Sequence, residues 1–416
     1  MRIKKIVASL LAAGVMVSPL AHATDGYFAH GYGMKAKGMG GVGIALPQDA
    51  LAAATNPAGM VMIGDRIDFG VDWFKPTRGA DIAGSPVPGM NGTYSGNGTS
   101  NFLIPEFGYN KMMNPDMSFG VSVYGNGGMN TDYTSSPFAA IGGTNPAGIN
   151  LEQLFIAPTW AMKLNPSNFI GVSLNLAYQS FEAKGLEGFG LAGWSSDPTK
   201  LTNNGKDTST GYGLRLGWTG QVSPTVTLGA TYQTKTKMGK FSKYAGLFAE
   251  QGGFDIPANY GVGIAVKLSD TTTVAADIEQ IQYSGVPSVA NSLASPGLLG
   301  NSNGPGFGWR DMTVFKLGVS HQYDSGLVVR AGYNTGRQPV PETETLFNIL
   351  APGVVQDHLT LGATWILPSK SELTLGYMHA FKKTINGANS MTPLGGGEAN
   401  LNMYQDSLGI AYGWKM

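Results

Sequence analysis

Few side chains in this 416-residue chain are placed to do covalent or metal chemistry. With no cysteine, neither thiolate catalysis nor a disulfide framework is available. The five histidines, His22, His30, His321, His358 and His379, lack a metal-ligand spacing such as H-x-x-x-H, so no metal or other cofactor is implied. No G-x-S-x-G elbow marks a nucleophilic serine. Gly38-Met39-Gly40-Gly41-Val42-Gly43 satisfies G-x-G-x-x-G, but a dinucleotide site needs that motif inside a βαβ unit, and here it follows an exported leader. Compact backbone packing explains these glycines more simply, and no enzyme activity is expected. Charge recognition remains. By strand parity Arg215, Lys316 and Arg330 face inward, where a cation can hold a ligand carboxylate. Inward-facing Asp72, Asp277 and Glu279 can equally neutralise them.

Arg2, Lys4 and Lys5 precede an apolar run from Ile6 to Val17 and a small-residue Ala21-His22-Ala23 site, which together read as a secretory signal peptide over residues 1–23. The mature chain is expected to begin at Thr24. The apolar run falls short of the roughly 20 residues of a spanning helix, and no later stretch reaches about 18. Removing the signal takes away three of the 27 Lys+Arg and none of the 27 Asp+Glu, so no basic surface for nucleic acid is implied. The unusual figures are 61 Gly and 13% charged residues, against about 25% charge in soluble domains. A chain too uncharged for an ordinary soluble surface and too polar for spanning helices fits a transmembrane β-barrel, whose strands average lipid-facing and lumen-facing residues.

The elements that would carry such positions are legible by alternation. Leu408, Ile410, Tyr412, Trp414 and Met416 point one way, while Ser407, Gly409, Ala411, Gly413 and Lys415 point the other. Strands of this kind are predicted to begin at Arg66, Phe102, Met117, Gln153, Asn168, Thr208, Thr225, Ala258, Thr271, Trp309, Gly326, Gln356, Ser369 and Leu401, fourteen in all. Short turns such as Asn114-Pro115-Asp116 and Asn165-Pro166-Ser167 alternate with long connections such as Arg78 to Asn101, Asn126 to Glu152 and Gly285 to Gly308. Periplasmic turns and extracellular loops alternate in this way, with both termini on the periplasmic side. The expected fold is all-β: a 14-stranded antiparallel barrel over residues 66–416. Residues 24–65 lack strand alternation and contain short helical pieces, so they are expected to form an N-terminal hatch inside the lumen. In Asp49 to Met60, "DALAAATNPAGM", an Ala-rich helical turn is expected to be stopped at Asn56-Pro57.

Asn56-Pro57-Ala58 in its Ala- and Gly-rich leader resembles the NPA motif in the hatch of FadL-type outer-membrane transporters of long-chain fatty acids and hydrocarbons. "YGNGGMNTDY" (Tyr124 to Tyr133) and "PVPETETLFNILAPGVVQDHLTLGATW" (Pro339 to Trp365) are similar to other stretches of that family, and the resemblance spans essentially the whole mature chain. It implies a hatch-plugged barrel in the bacterial outer membrane with an opening beside a kinked third strand. Gly125, Asn126, Gly127 and Gly128, which follow Met117 to Tyr124, are the matching kink candidates. Asn56 is expected to hold the hatch near that kink. One departure is the ending Trp414-Lys415-Met416, where outer-membrane barrels usually end in an aromatic residue.

The function that follows is passive transport of hydrophobic molecules, captured at the extracellular face and released sideways into outer-membrane lipid by a monomer. Burying an aliphatic chain is worth about 0.8 kcal/mol per methylene, so release into lipid forfeits far less than release into water. Leu151, Leu154, Phe155, Leu346, Phe347, Ile349 and Leu350 are candidates for the apolar capture groove. The competing expectations are a general diffusion porin for small hydrophilic solutes and an adhesin or phage-receptor barrel acting through its loops.

Overall fold

The computed structural model describes residues 25–416; the expected signal peptide and Thr24 lie outside the described residues. Fourteen strands build the wall. In chain order they are β1 Arg66–Ala83, β2 Phe102–Asn114, β3 Met117–Tyr133, β4 Ala147–Asn165, β5 Asn168–Lys184, β6 Asp207–Gln221 and β7 Val226–Gln233. They continue as β8 Asn259–Lys267, β9 Thr272–Ile281, β10 Met312–Gln322, β11 Leu327–Gly336, β12 Asp357–Ile366, β13 Glu372–Ile385 and β14 Glu398–Lys415. Each pairs antiparallel with its sequence neighbours, and β1 closes on β14 from Arg66↔Lys415 to Ala83↔Glu398. Closure pairs the first strand with the last, so the sheet has no terminal edge strand. Two short pieces at the extracellular rim, Gly92–Ser95 along β1 and Lys237–Met238 along β6, extend the sheet locally.

Alternation places the apolar side chains on the outer face. Leu408, Ile410 and Trp414 are exposed while Ser407 is buried, and Tyr212, Leu214 and Leu216 are exposed while Arg215 is buried. The largest shift in a strand boundary lies between β3 and β4. The two strands stay paired up to Tyr133↔Ala147, so a stretch that reads as a Gly- and Asn-rich loop is a continuing hairpin. Inter-strand hydrogen bonds hold it there, and its alternation puts apolar Ile149 and Leu151 on the buried face, the reverse of the lipid-facing pattern that marks the strands below.

Residues 25–63 lie inside this wall and are almost entirely buried. They make one short helix, α1 Met34–Lys37, and two 3-10 turns, Ala52–Ala54 and Pro57–Met62. Asn56-Pro57 does more than stop the Ala-rich turn. Pro57 is the first residue of the next turn, and the Asn56 side chain caps it by accepting from the Ala58 N–H at 3.1 Å. Glycine in the wall lets this segment approach backbone to backbone. A Cβ on Gly229 would run into the Ile44 carbonyl, and one on Gly332 into the Gly40 nitrogen. Much of the high glycine content is therefore wall thinned to admit the segment.

Candidate functional site

The wall is interrupted where β2 should meet β3. Their ladder runs from Asn114↔Met117 to Phe107↔Val123, and no further pair joins them. Above that point Phe102 to Glu106 pair only with β1, and Tyr124 to Tyr133 only with β4. Two local features stop the ladder. On β3 the register with β4 shifts between Gly125 and Gly127, which leaves Asn126 as an extra residue and turns the strand. On β2, Pro105 has no N–H to offer a neighbour. The ladder resumes at the rim through a surrogate: Asp132 exchanges backbone hydrogen bonds with Gly96 at 3.1 Å and Gly98 at 2.9 Å. Buried Arg78 locks this upper frame by donating to the carbonyls of Pro76, Thr99 and Asn130.

The beginning of the enclosed segment occupies the interruption. Ala29 N–H donates to the Asn126 carbonyl at 3.1 Å, and Gly128 N–H donates to the Tyr27 carbonyl at 3.0 Å, so Phe28 bridges Gly127 as a short antiparallel strand. The Tyr32 hydroxyl also donates to the Asn126 carbonyl. On the other side Tyr283 accepts from Tyr27 N–H and donates to the Asp25 carbonyl. Burial pushes the Asp25 carboxyl up to about 7, against the pull of Lys316, whose ammonium lies 3.8 Å away.

Aromatic rings connect this point to the outer face. Tyr27 contacts Phe28, Tyr283, Trp309 and Phe254, with centroids 5.3 to 6.2 Å apart. Phe254 meets Phe248 at 4.8 Å, and Phe248 meets Phe181 at 4.6 Å. Phe181 and Phe248 line an apolar cleft between the extracellular loops, together with Phe189, Phe307, Phe347 and Leu350. The cleft leaves only about 30 Å³ open, roughly the volume of one water molecule, so an occupant has to displace side chains.

The capture-groove candidates therefore divide. Phe347 and Leu350 line the cleft, while Leu151, Phe155, Leu346 and Ile349 are buried in the apolar cluster behind it. Leu154 belongs to neither. It alternates with buried Gln153 and Phe155 and lies on the outer face of β4, so pleat parity excludes it. Phe181, Phe189, Phe248 and Phe307 were not singled out from sequence, and scattered aromatics in irregular loops carry no periodic signal.

Of the three cations, Lys316 reaches the tip, through Asp25 at 3.8 Å. Lys316 pairs with Glu279 at 2.9 Å. Arg215 donates to Gln233 and to the Thr55 carbonyl, and Arg330 to Gln48 and Thr364. Neither guanidinium has a carboxylate within ion-pair distance among the described residues. Of the expected counterions only Glu279 pairs with a candidate. Asp72 pairs with Lys37 at 2.8 Å, and Asp277 accepts the N–H groups of Gly43 and Ile44. Asn56 is also not where the sequence placed it. Its amide donates to the carbonyls of Ile44 and Trp218 and to Thr219, toward the periplasmic end of β6 and away from Gly125 to Gly128. Pro57 and Ala58 pack against Gly171 of β5. Buried His30 and His358 stack with centroids 6.2 Å apart, and no group of three or more metal-binding side chains occurs among the described residues.

Comparison with known proteins places this architecture. Residues 20–414 match the family model described as outer membrane protein transport protein (OMPP1/FadL/TodX). No curated protein sequence gives a significant match. Among solved structures, the Pseudomonas putida toluene transporter TodX is similar with a TM-score of 0.70 and 19% identity, covering 94% of this chain and 100% of that one. A Pseudomonas aeruginosa FadL homologue gives a TM-score of 0.73 at 16% identity over 94% of this chain and 99% of its own. The Ralstonia pickettii toluene transporter TbuX gives 0.65 at 19% over 93% and 99%. At such identities the likeness concerns the fold.

Proposed function

The chain belongs to the OMPP1/FadL/TodX family of outer membrane transport proteins, and from that premise we propose that it moves hydrophobic molecules passively from the extracellular face into the bilayer. It is a transport barrel and not an enzyme. In this reading residues 24–65 act as the hatch. Ligand enters the cleft at Phe347 and Leu350, follows the rings of Phe248, Phe254 and Tyr27, and leaves through the interrupted β2–β3 ladder beside Gly125 to Gly128. The single observation that carries the reading is the continuous run of aromatic contacts from the cleft to that interruption. An apolar passage ending at lipid keeps the ligand out of water throughout, so its concentration gradient suffices to drive it. The protein acts as a monomer, with outer-membrane lipid as the recipient.

The ligand class proposed is an uncharged hydrocarbon in preference to a carboxylate. Lys316 is already paired with Glu279, and Arg215 and Arg330 are turned toward the hatch by neutral partners. A carboxylate would have to draw Lys316 from Glu279, or turn Arg215 or Arg330 away from the neutral groups that hold them, before any cation met it. The toluene transporters among the similar structures accord with this choice.

Gly127 tests the exit directly, because a Cβ there would run into the Tyr27 carbonyl and keep the tip from docking. In cells lacking other transporters, Gly127→Ala should take up labelled toluene several-fold faster than wild type per folded barrel. Unchanged uptake by folded Gly127→Ala protein rejects lateral release at this point, and faster uptake of oleate than of toluene by wild type rejects the ligand class.

A further inference from the structure

Two crevices at the extracellular rim stand apart from the transport path. One, of about 740 Å³, is lined by Arg337, Gln338, Glu342, Gln356, Lys383 and Asn386 among others. The second, of about 530 Å³, adjoins it and shares Arg337, Gln338 and Glu342, adding Arg310, Asp311, Thr313 and Phe315. Arg310, Arg337 and Lys383 make no side-chain hydrogen bond or ion pair among the described residues, whereas buried Lys35, Lys37 and Lys316 are held by Glu372, Asp72 and Glu279. The neighbouring carboxylates are partly engaged: Asp311 accepts the Ser284 N–H, and Asp357 accepts the hydroxyls of Tyr333 and Thr335. Glu342 is left as the free acceptor in both crevices.

The second crevice reaches the lipid-facing side of the wall. Phe315, in the floor of the second, is 51% exposed on the outer face of β10, and Leu317 and Val319 continue the same apolar track toward the middle of the bilayer. Tyr333 lies beside Leu317 on β11. Polar volume with unpaired cations thus sits directly above a track that fits an acyl chain.

We propose that this rim binds the headgroup of a phosphorylated glycolipid from the outer leaflet, with a phosphate held by Arg310 and Arg337, Lys383 nearby, and an acyl chain along Phe315, Leu317 and Val319. Guanidinium groups match phosphate oxygens in a two-point geometry. The carboxylate of Glu342 and the amides of Gln356 and Asn386 suit sugar hydroxyls, which a bare phosphate does not offer, while the Gln338 amide is closed on the Val340 backbone and shapes the crevice wall. Crevices of this size accommodate a saccharide, and the apolar track below distinguishes a lipid from a free sugar phosphate.

The test uses the full mature protein in nanodiscs with a diphosphorylated diglucosamine lipid, read by native mass spectrometry. Wild type should retain the lipid, Arg310→Ala/Arg337→Ala should retain it at least tenfold less, and Lys237→Ala/Lys240→Ala, at another part of the rim, should match wild type. Millimolar inorganic phosphate should not displace the lipid. Heat-modifiable gel mobility confirms that each variant is a folded barrel. Equal retention by the double-arginine variant, equal binding of the dephosphorylated lipid, or displacement by inorganic phosphate overturns the proposal.

Discussion

The enclosed N-terminal segment has two parts that are fastened in opposite ways. The body, residues 33–63, is tied by charge. Lys35 meets Glu372 at 2.5 Å, a carboxylate that Arg66 of the wall also holds at 2.9 Å, Lys37 meets Asp72, and the Gly33 and Met34 N–H groups both donate to Glu106. The tip, residues 25–32, is tied mainly by aromatic packing and a few backbone hydrogen bonds to Tyr283 and to the kink of β3, with one long ion pair, Asp25 to Lys316 at 3.8 Å, at its start. Buried ion pairs are costly to separate, because each partner left behind is an uncompensated charge. Sliding rings and exchanging a few backbone bonds with water cost far less. The difference teaches that the body need not leave the barrel for transport, since only the tip covers the interruption in the wall.

Breaking the body should therefore have the largest effect, and on assembly first. Glu372→Gln leaves Lys35, Arg66 and Lys415 around a neutral side chain, and the expected destabilisation is about 3–5 kcal/mol. Heat-modifiable mobility should be lost at a markedly lower temperature, with uptake falling only as far as folded protein falls. A stable barrel with selectively lost uptake would place the working contact in the body instead.

Asn56→Ala probes the same region more gently. It removes donations to Ile44, Trp218 and Thr219 together with the cap on Ala58, at an expected cost of about 1–3 kcal/mol. Because Asn56 anchors the body far from the β3 kink, uptake per folded barrel should stay within about twofold of wild type. A tenfold loss of uptake without loss of stability would contradict the division of the segment.

The wall and the tip differ in how plainly the sequence announces them. Strand positions are legible because the bilayer demands alternation along each strand, and most starts fall within three residues of expectation. The register shift between Gly125 and Gly127 falls where glycines interrupt the strand, a break that composition alone reads equally as the start of a flexible loop and that the family resemblance singles out. What the sequence concealed are contacts set by how the enclosed segment is rotated within the lumen. Asn56 faces β6 and not β3 for that reason, and no local pattern encodes such a rotation. Leu154 failed by parity, a signal that was available in the alternation with Gln153 and Phe155. Pro105 within "FLIPEF" was a second readable sign, marking β2 as the strand that stops pairing.

The smallest expected effect belongs to the tip and depends on pH. Buried Asp25 has its carboxyl raised to about 7 by desolvation, from an ordinary value near 3.8. For an acid shifted upward, the docked tip holds its proton more tightly than the released tip does, so docking is fully favoured below about 3.8, weakens as pH rises and levels off above about 7. Lys316 at 3.8 Å, with Glu279 beside it, opposes the weakening without cancelling it. Toluene uptake should accordingly rise about two- to fivefold between pH 6 and 8, a change that corresponds to about 1 kcal/mol or less. Asp25→Asn keeps the side-chain shape and the Asn334 contact while removing the titration, and it should flatten the profile. A body carboxylate such as Asp49, whose Oδ1 accepts the Leu51 N–H, should not control the profile when changed to Asn. If Asp49→Asn flattens the profile and Asp25→Asn does not, the movable element is the body, and the contrast between the two parts is reversed.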